Sequence, residues 1–189
     1  IVDSLVGSEM CIRDRSTNDQ LVIEYAKDIN NKKIYINERP DDLCSDQATT
    51  DSLIKYAGDI LPDGDILWTH VTSPFISSVD YDHIIKSFYA SLERGYDSLV
   101  TVTVIQSFLW DDHGPFNYNN KSLKWPFTQE LKKLYEINSG VFLANKKIYK
   151  KCNNRLGEKP KYFILDKLKS IDIDNIDEFN LVEKILNSQ

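Results

Sequence analysis

Residues 65–105 read DILWTHVTSPFISSVDYDHIIKSFYASLERGYDSLVTVTVI, and they decide the fold class. The stretch opens on a short apolar run, DILWT, that reads as a buried strand and ends in the loop Val71-Thr72-Ser73-Pro74. Residues 79–93 then carry the spacing of an amphipathic helix. Arg94-Gly95-Tyr96 closes it, since glycine adopts the left-handed backbone that ends helices without a Cβ clash. SLVTVTVI, residues 98–105, is β-branched and makes the most convincing strand in the chain. A strand, a helix and a second strand in this order predict an α/β protein with a mainly parallel sheet.

The same alternation continues in both directions. Leu21, Val22, Tyr25, Ala26 and Ile29 give residues 19–29 a helical spacing, and KIYIN at 33–37 alternates as a strand. Arg39-Pro40 breaks the chain into a loop. A helix over 49–60 is supported by Leu53, Ile54, Ala57 and Ile60, with Thr50 or Asp51 available as its cap. Pro62-Asp63-Gly64 is turn chemistry. Residues 109–136 are aromatic, polar and irregular, with Pro115 and Pro126, and read as an extended arm or hairpin. Strands are predicted at 140–144 and 162–165, and helices at 147–153 and 176–186. Between them, IDID at 171–174 alternates. No repeat, low-complexity tract or second domain is visible.

Composition narrows the function classes. The chain has 189 residues, 41% hydrophobic and 28% charged, with a net charge of -6, enough for one domain with a true core. Its longest apolar run falls well short of the roughly 18 residues of a membrane span, and its mean hydropathy is -0.40. A soluble protein without a membrane partner is therefore expected. No basic block is present to meet a phosphate backbone, so no nucleic-acid partner is expected either. Cys11, Cys44 and Cys152 are widely spaced and suggest neither a disulfide framework nor a zinc site, which fits a reducing cytoplasm.

Residues 1–15, IVDSLVGSEMCIRDR, stand apart. Asp3 and Glu9 and the lack of a basic start exclude a signal peptide. The stretch resembles a translated sequencing-library adaptor, because one codon choice for residues 9–14 spells a transposon end. It holds the chain's one methionine, Met10. An ordinary strand, LVG, with a turn is the alternative. On the adaptor reading these residues say nothing about the fold, and residues 16–189 are an interior piece whose own N-terminus is missing.

Four motifs fall at strand ends, where open α/β sheets bind ligands. Arg39-Pro40 with Thr49-Thr50 suits a phosphate or nucleotide, though a turn followed by a helix cap explains it as well. His70 with Thr72-Ser73-Pro74 is either a substrate lip or a rigid turn with a packed histidine. Gln129, in TQE, and Asn138, in NSG, offer amides to a hydroxyl-rich ligand, or are simply polar loop residues. Asp172 and Asp174, at i and i+2 of an extended chain, face one side. Paired carboxylates suit Mg²⁺ on a phosphate substrate, or a solvated edge. There is no GxGxxG, no P-loop and no nucleophile elbow. Asp111-Asp112-His113 reads as a turn, and Trp68, Trp110 and Trp125 as core or interface residues.

Taken in order, STND (16–19), RPDDLCSDQATT (39–50), THVTSPF (69–75), TQEL (128–131), YEINSGVFLA (135–144) and SIDIDNIDEF (170–179) resemble the acylneuraminate cytidylyltransferases, the CMP-sialic acid synthetase family. The resemblance covers residues 16–189. It implies a Rossmann-like nucleotide-sugar transferase sandwich and a homodimer joined through an arm, here about 108–136. It also implies transfer of CMP from CTP to the anomeric hydroxyl of a sialic-acid-like 2-keto-3-deoxy sugar acid, with release of pyrophosphate. Arg39 and Thr50 match nucleotide-contacting positions, and Asp172 and Asp174 match the Mg²⁺-binding catalytic pair. His70, Thr72, Ser73, Gln129 and Asn138 fall on the sugar side.

The chain departs from the family at His70, which usually is Gln, and at Val71, which usually is Pro. The family's first strand and its phosphate-binding loop have no counterpart before STND. The chain as it stands is accordingly expected to be inactive, with a groove left in the sheet. The alternatives are a cytidylyltransferase for 3-deoxy-octulosonate, pseudaminic or legionaminic acid, or a non-catalytic nucleotide-sugar-binding module.

Overall fold

A computed structural model describes residues 2–6, 10–45, 47–121 and 123–188, with side chains described from Ser16 onward. Strands β1 (Val2–Val6), β2 (Met10–Thr17), β3 (Ile34–Glu38), β4 (Asp65–Thr69), β5 (Ser98–Ile105), β8 (Leu134–Asn145) and β9 (Pro160–Ile164) form one sheet in the order β3-β2-β1-β4-β8-β5-β9. Two short strands, β6 (Trp110–Asp111) and β7 (Gly114–Pro115), pair separately. The helices are α1 (Gln20–Asp28), α2 (Thr50–Ile60), α3 (Ser78–Leu92), α4 (Lys146–Cys152) and α5 (Ile176–Asn187).

Five of the seven strands point one way; β1 and β8 run against them. The sheet is thus mainly parallel in strand direction, as expected. Because β8 inserts between β4 and β5, the two strands of the βαβ unit are parallel without being neighbours.

Period-two alternation builds two cores from the same strands. Ile66, Trp68, Val100, Val102, Phe142 and Ala144 face α2 and α4, packing on Ile54, Ala57, Leu61 and Tyr149. Leu67, Leu99, Val141 and Leu143 face the other way, onto Ile76, Ile84 and Phe88 near and within α3. Each such fully buried aliphatic or aromatic side chain is worth roughly 1.5–3 kcal/mol of transfer free energy, which is why the layers hold.

Local chemistry sets the helix ends. Ser77 caps α3 through a capping box: its hydroxyl accepts from the Asp80 N–H, and the Asp80 carboxylate accepts from the Ser77 N–H. Thr49, rather than Thr50 or Asp51, caps α2, accepting from the Ser52 N–H at 3.2 Å.

Several expectations need correction. The groove expected beside β4 is filled, because the backbone of Val2–Val6 pairs antiparallel with it. A ladder reads backbone N–H and C=O groups, so the position is completed irrespective of side chains. The adaptor reading of residues 1–15 turns on side-chain identity and lies outside the described side chains. β8 begins at Leu134, not Gly140, and residues 171–174 form no strand and pair with no sheet. Within 108–136, Phe108 stacks edge-on against Tyr118 and Trp125, while Trp110, Phe116, Trp125 and Phe127 stay exposed. Among the described residues no helix is long and apolar enough to cross a membrane.

Candidate functional site

The co-directed strands end on one side of the molecule, and the loop after β4, residues 70–73, divides the space there into two clefts. The first, about 310 Å³, is walled by Ser16, Thr17, Val22, Arg39, Leu53, Trp68, Thr69, His70 and Val71. The second, about 570 Å³, is walled by Glu136, Asn138, Ser170, Asp172, Asp174 and Glu178 among others. One backbone hydrogen bond crosses the divide, from the Ile173 N–H to the Thr72 carbonyl at 2.9 Å.

In the first cleft, Arg39 leaves the end of β3 and turns back onto β2. Its Nε donates to Ser16 Oγ at 3.3 Å and its Nη2 to the Ser16 carbonyl at 2.8 Å. The guanidinium is therefore oriented before any ligand arrives. His70 stands across from it, half-buried, with its Nε2 3.0 Å from Arg155 Nη1. Burial and the neighbouring guanidinium hold the imidazole below its ordinary range, against the opposing pull of Asp172. Thr50 is exposed on the first turn of α2 and walls neither cleft.

The second cleft is built around a clamp. Asn138 Nδ2 donates to Thr103 Oγ1 at 3.1 Å and to Ser170 Oγ at 3.2 Å, and its Oδ1 accepts from the Gly140 N–H at 3.3 Å. The amide thus ties β5 and β8 to the segment that carries Asp172. Next along that segment, Lys169 pairs with Asp80 of the α3 capping box at 2.6 Å. Burial alone would raise the Asp80 pKa. The hydrogen bonds from Lys169 and Ser77 override it and bring the carboxyl to about 2.

Beyond the clamp, Asp172 is half-buried, and its Oδ1 is a buried oxygen with no partner. Asp174 is exposed, and its N–H donates to Glu178 Oε2 at 2.7 Å. Among the described residues no three His, Cys, Asp or Glu side chains converge as a metal-binding group. A pair of carboxylates fits an ion that keeps water and substrate phosphate as its remaining ligands, as Mg²⁺ does. An orphaned buried carboxylate oxygen is the donor such an ion would use.

The sequence-read residues thus separate. Arg39 and His70 share one cleft; Asn138, Asp172 and Asp174 share the other. Thr72 and Ser73 form the divide, with Ser73 Oγ buried and unpartnered. Gln129 lies exposed outside both, accepting through its carbonyl from Gln106 Nε2 at 3.0 Å. Arg155 was not legible as a site residue. It sits in an irregular stretch, NNRLGEKP, where only the fold reveals that it reaches His70.

No family model matches the chain. It is 29% identical over 153 residues to a protein named N-acylneuraminate cytidylyltransferase from Escherichia coli. That alignment takes in 76% of this chain but only 35% of the relative, so the chain spans about a third of the length of the curated relative it matches. Its fold is shared with the crystal structure of 4-diphosphocytidyl-2C-methyl-D-erythritol synthase from Anaerococcus prevotii. The TM-score is 0.63 at 15% identity, covering 93% of this chain and 78% of that one. The architecture is accordingly a Rossmann-like α/β fold similar to that of a known cytidylyltransferase.

Proposed function

We propose that this chain is the core of a cytidylyltransferase that joins CMP from CTP to the anomeric hydroxyl of a sialic-acid-like sugar acid. The observation that carries the reading is Asp172. It offers a buried, unpartnered carboxylate oxygen beside Asp174, at the strand ends of a fold similar to that of a cytidylyltransferase. The sequence similarity to a protein named N-acylneuraminate cytidylyltransferase supports the same substrate class.

In this reading Asp172 and Asp174 hold Mg²⁺, which when bound supplies charge neutralisation on the phosphate oxygens. Arg39, oriented by Ser16, binds the nucleotide with Thr50 beside it. Thr72, Ser73, His70, Gln129 and Asn138 are assigned to the sugar, with His70 reaching it from the wall it shares with Arg39, Gln129 from outside both clefts, and Asn138 acting chiefly by holding the Asp172 segment in place. The sugar's hydroxyl attacks the α-phosphorus, the bond to the β-phosphate bridge breaks and pyrophosphate leaves, a transfer governed by positioning and charge. The exposed aromatics of residues 108–136 supply a homodimer contact. His70 in place of the usual glutamine favours a sugar acid other than N-acetylneuraminate as the second reading.

The test is pyrophosphate release from CTP and Mg²⁺ with a panel of sugar acids. Asp172→Asn and Asp174→Asn should each lower turnover by about a hundredfold or more. A folded protein that releases no pyrophosphate with any sugar acid overturns the proposal.

A further inference from the structure

Among the described residues Arg155 is a cation without a counter-ion. The ion pairs among the described residues use Lys146, Lys151 and Lys169, and none involves Arg155. Its guanidinium lies 3.6 Å from the Phe142 ring centroid and 5.4 Å from that of Trp68. Stacking on both aromatics is the way a weakly hydrated planar cation is held away from water. Its Nη1 then lies 3.0 Å from His70 Nε2.

A guanidinium only donates. At that contact His70 Nε2 must therefore be the acceptor, and the ring proton must sit on Nδ1. The bond made by one ring nitrogen decides the state of the other. Nδ1 has no partner among the described residues, and His70 walls the cleft that also holds Arg39. Among the described residues that cleft has no acidic side chain in its wall, although the chain carries 29 Asp and Glu against 23 Lys and Arg. Arg39 Nη1 is likewise without a partner among the described residues.

We infer that Arg155 is a positioning residue that fixes His70 as a neutral Nδ1–H donor, so that this cleft, with Arg39 opposite, takes an oxyanion oxygen of its ligand. Exposed histidines favour the opposite tautomer, with the proton on Nε2, so the arrangement leaves a signature that does not depend on activity. The donor geometry stands apart from the cytidylyl-transfer reading; only the choice of ligand probes rests on it. Phosphate and carboxylate oxygens share the required chemistry, and the probes separate them.

The experiment is a long-range proton–nitrogen correlation on the ¹⁵N-labelled 189-residue chain, whose three histidines are assigned with His70→Gln. His70 should show a pyridine-type Nε2 and a pyrrole-type Nδ1. In Arg155→Met, which keeps length against Phe142 and Trp68 but removes the donor, the majority tautomer should switch to Nε2–H. An Nε2–H form in the unsubstituted chain, or no switch in a folded Arg155→Met, overturns the proposal. Should Arg155→Met fail to fold, the spectrum of the unsubstituted chain decides alone.

Pyrophosphate and N-acetylneuraminate are then titrated separately. The one that moves the His70 Nδ1 resonance names the oxyanion, and its Kd should rise about tenfold in Arg155→Met. Movement by neither overturns the ligand half. A correct tautomer in a protein without cytidylyl transfer would sink the proposed function and leave this inference standing.

Discussion

The two clefts beside the 70–73 loop are opposites in the way they prepare for a ligand. On one side the guanidiniums are pre-aimed: Arg39 is locked to Ser16, and Arg155 is stacked on Phe142 behind His70. On the other, a neutral amide does the aiming and the charge is left open. Asn138 has both its donor and its acceptor atoms engaged, while Asp172 Oδ1 is buried and unspent. A donor cleft can be finished with protein contacts alone. An acceptor cleft built of carboxylates sets like charges side by side, and in the proposed function a cation relieves that repulsion.

The contrast breaks most sharply at Asn138. Asn138→Ala removes three hydrogen bonds and leaves half-buried Thr103 and Ser170 and the buried Gly140 N–H without that partner. It should cost about 2–3 kcal/mol, read as a lowered urea midpoint with an unchanged slope. A cost under about 0.5 kcal/mol would mean that the second cleft is not held by this amide. Next in size is the α2 start. Thr49→Ala should lose about 1 kcal/mol as a missing cap, whereas Thr50→Ala should stay within about 0.5 kcal/mol. If Thr50 serves the nucleotide, Thr50→Ala weakens CTP binding with the melting curve unmoved.

Two pH experiments sharpen the same comparison with smaller effects. Asp80 has a folded pKa of about 2 against an ordinary 3.8. Its contribution is therefore complete above 3.8 and is lost as pH falls toward 2. Asp80→Asn should flatten the stability profile across that window. For His70 the folded pKa lies below 6.5. The unfolded chain then binds the proton first, and stability declines as pH drops below about 6.5. His70→Gln should remove that slope; an equal slope in both proteins would show that the imidazole is not held neutral.

Much of this was legible in the residues. Strand β5 begins and ends where SLVTVTVI does, because β-branched alternation bounded by a glycine turn leaves little freedom. The acidic pair was legible too, since two Asp at i and i+2 announce a shared side. Its secondary structure was not. Alternation tells which way side chains face, but pairing needs a partner strand, and the Ile173 N–H goes to a loop carbonyl instead. The first half of β8 escaped because Glu136, Asn138 and Ser139 carry no apolar signal, and Ser139 has a φ of 56°. Residues 134–137 are a strand because Val102–Ile105 of β5 pair with them, while Asn138 and Ser139 fall in the register shift before the pairing resumes at Phe142. Arg155 escaped for a plainer reason: cation–aromatic stacking joins residues far apart in the chain and leaves no local period.

The hydrogen bond from Ile173 to Thr72 joins the loop that walls the first cleft to the segment that walls the second. A ligand that shifts His70 or Thr72 is expected to shift, through that bond, the backbone that carries Asp172. Thermodynamic reciprocity then requires the favour to be returned by the same factor. In the proposed function a cation at the carboxylates and an anion at the guanidiniums are expected to correspond through that one amide. The exchange rate of that single N–H with solvent deuterium is where their exchange of messages can be timed.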